Sequence, residues 1–374
     1  MAVTQTPVIL THFEDLTDPR VERTKKHALG DLVAIALCGA ICGADTWADV
    51  ERFGNEKIDW FRTFLRLENG VPSHDTFGRV FAMLDTSEFY ACLTDWVASL
   101  KLDLKGQTVA IDGKTLRKSF DKASGRGALH VVNAWASGLR LSLGQLATDA
   151  KSNEITAVPR LLEMLAIEGA VVTLDAMHCQ KETAKKIRSR GADYVLQVKA
   201  NQPSLHGQLQ ALFVRYGDDD YRSVRRHTTN EKNHGRTERR EYYVAPIPKE
   251  LSREWPDAQS VGMVYRYRES SDKQSEEVSF FLSSLPPKVR AIAGHIRAHW
   301  GVENALHWSL DVTFSEDQSR IRKGNGQEIA AGFRRLALSI LKQDTTLNET
   351  LRGKRLRAGW NNETLQAILT GIAV

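Results

Sequence analysis

Two apolar strands that each stop on an aspartate constrain this chain more than any other feature in it. In TVAIDGKTLR, residues 108–117, Val109 and Ile111 alternate with smaller residues until the run ends at Asp112 and Gly113. In AVVTLDAMH, residues 170–178, Val171, Val172 and Leu174 run into Asp175 and Ala176. β-Branched residues favour a pleated, half-buried surface, whereas a carboxylate is depleted there and costly to bury without a partner. If the two strands are neighbours in one sheet, the carboxylates converge and raise one another's pKa unless a cation sits between them. A hard, oxygen-ligated ion, Mg²⁺ or Mn²⁺, removes that conflict. Two unrelated, solvated strand ends would produce the same letters.

The order of elements makes neighbouring strands reasonable. From Asp31 to about Leu100 the apolar spacing is helical, and Ser73 after Pro72 reads as an N-cap. After Leu104 the pattern becomes β-β-β-α-β-α-β: TVAID, HVVNAWAS, LSLGQLATD, a helix over NEITAVPRLLEMLAIEG, then AVVTLD, the basic helix KETAKKIRSRG and DYVLQVKA. From about Gly207 to Pro286 the helical rhythm fades, and YYVAPIP, SVGMVYRYRE and EEVSFFLSSLP read as strands separated by charged turns. Helices return at AIAGHIRAHWGVENALHWSLDV and QEIAAGFRRLALSILKQ. The fold class expected is α/β, a mixed sheet with flanking helices.

A third carboxylate, Glu303, lies between His299 and His307 at spacing i, i+4, i+8, which puts His, Glu and His on one helical face. Zinc is the competing ligand reading for that face, but it lacks the H-E-x-x-H spacing of zincins and no cysteine joins it. Cys38, Cys42, Cys92 and Cys179 show no paired metal-ligand spacing, so a reducing, cytoplasmic setting is the default. The apolar run Leu32–Ala44 falls short of the roughly 20 residues that span a bilayer. His178 and Cys179 read as packing or supporting groups behind Asp175.

Charge is uneven. The whole chain carries only +5, yet the segment Arg222–Arg240 alone carries +5 and Arg320–Arg357 carries +7. Charge runs are commonly solvated faces, but two such blocks flanking a carboxylate helix favour phosphate contact. Within the first block, Arg236, Arg239 and Arg240 are candidate phosphate contacts. Lys114, Arg117 and Lys199, beside the strand ends, are candidates for holding a nucleic-acid strand. Asn201 and Gln202 either touch phosphate or base edges or turn the chain before Pro203.

Taken together, IDGKTLR, LDAMHCQ, VLQVKANQP, HGRTERR and HWGVENALHWSLDVTFSED resemble, in that order, the motifs of bacterial insertion-sequence transposases with an RNase-H-like DDE core. The resemblance is to the subgroup that includes the H-repeat-associated proteins, and it covers nearly the whole chain. It implies a catalytic and metal-binding triad of Asp112, Asp175 and Glu303, and a β-rich insertion before the Glu. The expected division is a helical N-terminal domain over 1–104, a catalytic core over 105–210 and 290–345, the insertion over 211–289, and a C-terminal tail over 346–374. Related transposases carry an Arg four residues before the Glu and a Lys seven after it; here those positions are His299 and Leu310. His299 and His307 are therefore candidate substitutes for DNA contact, each expected to titrate near its ordinary pKa of about 6.5.

The activity implied is cleavage and joining of an insertion element's ends with two Mg²⁺ or Mn²⁺ ions. Its partners would be the terminal inverted repeats and target DNA, bound by a homodimer because two ends must be processed together. The alternatives are a nuclease of the same fold that hydrolyses without strand transfer, and a domesticated DNA-binding protein without catalysis.

Overall fold

The structure is a computed structural model that describes residues 6–120, 125, 127–148, 154–233, 236–270 and 273–371. His234 and Gly235 of the HGRTERR motif, and the side chain of Arg236, lie outside what it describes.

The chain opens with helices α1 (Val8–Thr11), α2 (Leu29–Cys42), α3 (Trp47–Glu56), α4 (Ile58–Phe61), α5 (His74–Met83) and α6 (Thr86–Ser99). Their starts are written in the sequence. Thr46 and Asp49 form a reciprocal capping box at α3, Ser73 accepts from the Thr76 amide at α5, and Asp85 accepts from the Ser87 and Glu88 amides at α6. α2 is apolar on every side and correspondingly buried, a core helix that ends at Gly43 with φ +104°. Among the described residues no single helix is long and apolar enough to cross a membrane; α2 and α3 pass that test only as a pair bent by 96°.

Strands β1 (Thr108–Thr115), β2 (His130–Ala136) and β3 (Leu141–Thr148) follow, then α7 (Glu154–Met164), β4 (Val171–Leu174), α8 (Lys181–Ser189), β5 (Asp193–Val198) and α9 (Pro203–Asp218). β6 (Arg225–Asn233), β7 (Arg236–Pro246), α10 (Lys249–Ser252), β8 (Ser260–Ser270) and β9 (Lys273–Ser283) come next, before α11 (Val289–Val302), α12 (Gly326–Gln343), α13 (Leu351–Trp360) and α14 (Asn362–Thr370). All nine strands form one sheet in the order β3-β2-β1-β4-β5-β9-β8-β7-β6. β1, β4 and β5 are parallel to their neighbours among themselves, while β2 and β3 run antiparallel. This is the RNase-H-like arrangement expected. β2 and β4 are buried along their whole length, which is why their sequences do not alternate.

Three local expectations need correction. The segment read as losing its helical rhythm from Gly207 remains helical to Asp218 as α9. The charged stretch at 225–240, read only as a basic block with no strand assigned to it, is the β6–β7 hairpin, paired from Arg225↔Val244 to Asn233↔Arg236. Its strands carry charges on both faces and so lack an apolar alternation to read. The β-rich segment also continues the core sheet, since β9 pairs with β5 from Val195↔Ser283 to Val198↔Phe280.

The residues read as a C-terminal tail fold as α13, which packs against α2, and α14, which packs against α13 and α12. Buried Arg355 donates to the Ala40 and Ile41 carbonyls at the C-terminal end of α2 and lies 4.0 Å from the Phe314 ring centre. A guanidinium there satisfies carbonyls that the helix leaves without partners.

Candidate active site

The parallel register of β1 and β4 sets Ile111 opposite Leu174, so the next residue on each strand, Asp112 and Asp175, emerges side by side at the same end of the sheet. Burial, reinforced by repulsion from Asp175 and then from Glu154 and Glu303, pushes the Asp112 carboxyl up to about 7. The Gly113 amide, 3.0 Å from its Oδ1, opposes that rise. Asp175 Oδ1 is buried with no hydrogen-bond partner. Uncompensated negative charge has therefore been gathered at one point.

α11 runs along β1 and β4 toward this end of the sheet. His295 Nδ1 lies 2.8 Å from Thr108 Oγ1 of β1, and His299 Nδ1 lies 2.9 Å from Thr173 Oγ1 of β4. At Glu303 the helix widens into π-helical turns, Glu303–His307 and Ser309–Thr313. Such insertions recur at functional sites. Glu303 is exposed at the start of the wide turn, and His307 Nδ1 stands 3.7 Å from Asp112 Oδ2. The face read from sequence thus follows β1 and β4 to the two aspartates; its first member, His295, shares the same four-residue spacing and was missed.

The expected charge state of the two histidines is overturned. Burial lowers His299 to about 4 despite the nearby Asp175, and burial with Arg335 and Lys114 lowers His307 to about 4. Both imidazoles are neutral at working pH, so neither replaces the charge of the family's Arg and Lys.

Other candidates divide sharply. Lys114 is 8% exposed and its ammonium is enclosed by Asp311 at 2.7 Å, Asp317 at 3.0 Å and Glu316 at 3.7 Å, so it is not a free cation at the strand end. Arg117 is exposed, with Nε 3.3 Å from Asp317, and Lys199 is exposed. Asn201 donates to the Ala176 carbonyl at 2.6 Å and Gln202 to the Cys179 carbonyl at 2.8 Å, so both amides brace the turn after Asp175. Arg240 is buried between Glu231 at 2.9 Å and Glu238 at 2.8 Å, whereas exposed Arg239 meets Glu241 at 2.6 Å. In the second basic block, Arg334, Arg335, Lys354 and Arg355 are buried.

Residues 10–97 match the family described as DDE_Tnp_1-associated, and residues 103–340 match the Transposase DDE domain. The chain belongs to the DDE transposase family. It is 37% identical over 372 residues to the "H repeat-associated putative transposase YhhI" of Escherichia coli, spanning 97% of this chain and 98% of that one. The "Putative transposase YncI" of Escherichia coli O157:H7 is 36% identical over 372 residues, 96% of this chain and 94% of its own. A protein described as "Uncharacterized protein in dhlA 3'region" of Xanthobacter autotrophicus is 40% identical over 277 residues, 73% of this chain and 92% of its own.

DDE transposases generally use divalent metal, and the donor set of this family member suits one. Two partly buried carboxylates share a strand end, one oxygen is orphaned, and the flanking imidazoles are neutral. Among the described residues no group of three or more His, Cys, Asp or Glu side chains is already closed around a point. Mg²⁺ does not require that, since it is commonly held by one or two carboxylates with water and phosphate oxygens completing its shell.

Proposed function

We propose that this chain is a DNA transposase that cleaves and joins the ends of an insertion element, with Asp112, Asp175 and Glu303 as catalytic, metal-holding residues. The observation that carries the reading is the convergence of Asp112 and Asp175 at adjacent parallel strand ends, where burial and repulsion from Asp175 push the Asp112 carboxyl up to about 7. A site that concentrates negative charge to this degree is built to receive positive charge. When bound, two Mg²⁺ or Mn²⁺ ions would activate the attacking oxygen and stabilise the leaving one. Asp112 on β1, Asp175 just after β4 and Glu303 on the helix are the carboxylates that would hold them. Glu303, exposed at its π-helical turn, closes the site from above the sheet. Arg117 and Lys199, exposed near the same end, are cations able to meet DNA phosphates, together with Arg239 on the hairpin. The buried or braced Lys114, Arg240, Asn201, Gln202, His299 and His307 shape the surface behind them.

The DNA partners are the element's terminal inverted repeats and a target duplex, processed by a homodimer in the cytoplasm. The test is cleavage of duplexes bearing the sequences that flank the gene, with Mg²⁺ or Mn²⁺ and with chelator. Asp112→Asn, Asp175→Asn and Glu303→Gln should each abolish cutting and strand transfer while DNA binding persists. Full activity in any of them removes that residue from the triad, and cutting without joining identifies a nuclease.

A further inference from the structure

Directly behind the two aspartates lies a second acidic group that the triad does not use. Glu154, the first described residue of α7, is 3% exposed. One of its oxygens meets His130 Nε2 on β2, and the other lies 3.0 Å from His178 Nε2, in the short turn that follows Asp175. His178 Nε2 is also 3.8 Å from Asp175 Oδ1. His130 Nδ1 in turn lies 2.8 Å from Thr115 Oγ1 on β1. Both histidines are buried.

Gly113 completes the enclosure. A Cβ at that position would press against His130 Nε2 and come within 2.6 Å of Glu154 Oε1. The glycine following Asp112 is therefore the space that lets the cluster reach β1. Burial would raise the Glu154 carboxyl, but the hydrogen bonds from His130 and His178 hold it down to about 2, so it stays ionised. It also repels Asp112. An ionised carboxylate that is buried and set against a catalytic carboxylate is a poor choice for stability alone, because apolar side chains often replace buried ionic groups without loss.

We propose that Glu154 is a positioning residue: it fixes Asp175 through His178 and the Asp112 end of β1 through His130 and Gly113, setting the spacing of the two carboxylates for a divalent ion. This rests on the metal-dependent function proposed above. Partners behind metal ligands commonly account for about 10–100-fold in metal affinity.

The experiment measures Mn²⁺ binding to the full chain without DNA, by electron paramagnetic resonance, in the parent, Glu154→Gln, His178→Gln and Asp112→Asn. Urea unfolding of each reports folding separately. Glu154→Gln is expected to stay folded and bind Mn²⁺ about 10–100-fold more weakly, with a broadened bound-ion spectrum, and His178→Gln to move in the same direction. Unchanged affinity in folded Glu154→Gln overturns the positioning role and leaves the proposed function standing. If Glu154→Gln does not fold, His178→Gln decides by the same criterion. Failure of both to fold makes the cluster structural and overturns the proposal. No Mn²⁺ binding by the parent, or equal binding by Asp112→Asn, overturns the metal-dependent function itself.

Discussion

Asp112→Asn should stabilise the metal-free protein, an unusual direction for a substitution at a half-buried position. The Asp112 carboxyl rises from 3.8 to about 7 on folding, roughly 3 units, and about 1.36 kcal/mol per unit sets an upper bound near 4 kcal/mol. With 28% of the side chain exposed, water screens part of this, and a gain of about 2–4 kcal/mol is expected. The sign follows from proton binding. Between 3.8 and about 7 the folded state holds a proton that the unfolded state has released, so this group lowers stability as pH rises through that window and at constant cost above it. Asparagine keeps the shape and removes the charge, so its advantage should be largest at pH 8 and smaller by about 2 kcal/mol at pH 5. The assay is urea denaturation in chelator at both pH values. Adding Mg²⁺ or Mn²⁺ at 100 times the dissociation constant should then stabilise the parent by about 2.7 kcal/mol and the variant far less. A variant less stable than the parent in chelator at pH 8, or a gain independent of pH, would refute the electrostatic account of the site.

Other expectations follow from the same geometry. Gly113→Ala should cost about 1–3 kcal/mol in unfolding free energy, because the added methyl group meets His130 and Glu154, and an unchanged urea midpoint would remove the close contact. Arg240→Ala should cost about 1–3 kcal/mol, because Glu231 keeps Arg297 and Glu238 keeps Arg268, whereas Arg239→Ala should stay within about 0.5 kcal/mol; equal losses would contradict the burial difference. Arg117→Ala and Lys199→Ala should leave stability nearly unchanged and each flatten the salt dependence of DNA affinity by about one unit, as read from binding isotherms across a salt series. Single-turnover cleavage between pH 6 and 9 should have the same profile shape in the parent, His299→Gln and His307→Gln, since both imidazoles are neutral well above about 4; a lost inflection near neutrality in either variant would show that its histidine titrates there.

The sequence was most legible where one chemical rule acts locally. Strands ending on aspartates, the cap at Ser73, and the four-residue spacing of His299, Glu303 and His307 all report short-range geometry. Charge was legible only as a total. Lys114, Arg240 and Arg355 read as surface cations because nothing near them in sequence reveals Asp311, the cross-strand Glu231 or the α2 carbonyls that enclose them. The Glu154 cluster was invisible for the same reason: its partners lie 24 residues away on either side, on β2 and in the turn after β4. The π-helical turns left no mark at all, since the letters from Glu303 to Thr313 continue an ordinary helical spacing.

The central claim is that Asp112 and Asp175 together hold a divalent ion, and anomalous diffraction from Mn²⁺-soaked crystals of the parent protein tests it most directly. The account predicts an anomalous peak between the Asp112 and Asp175 carboxylates that disappears in Asp112→Asn. A peak centred instead on His130, Glu154 and His178, or none at saturating Mn²⁺, would contradict it.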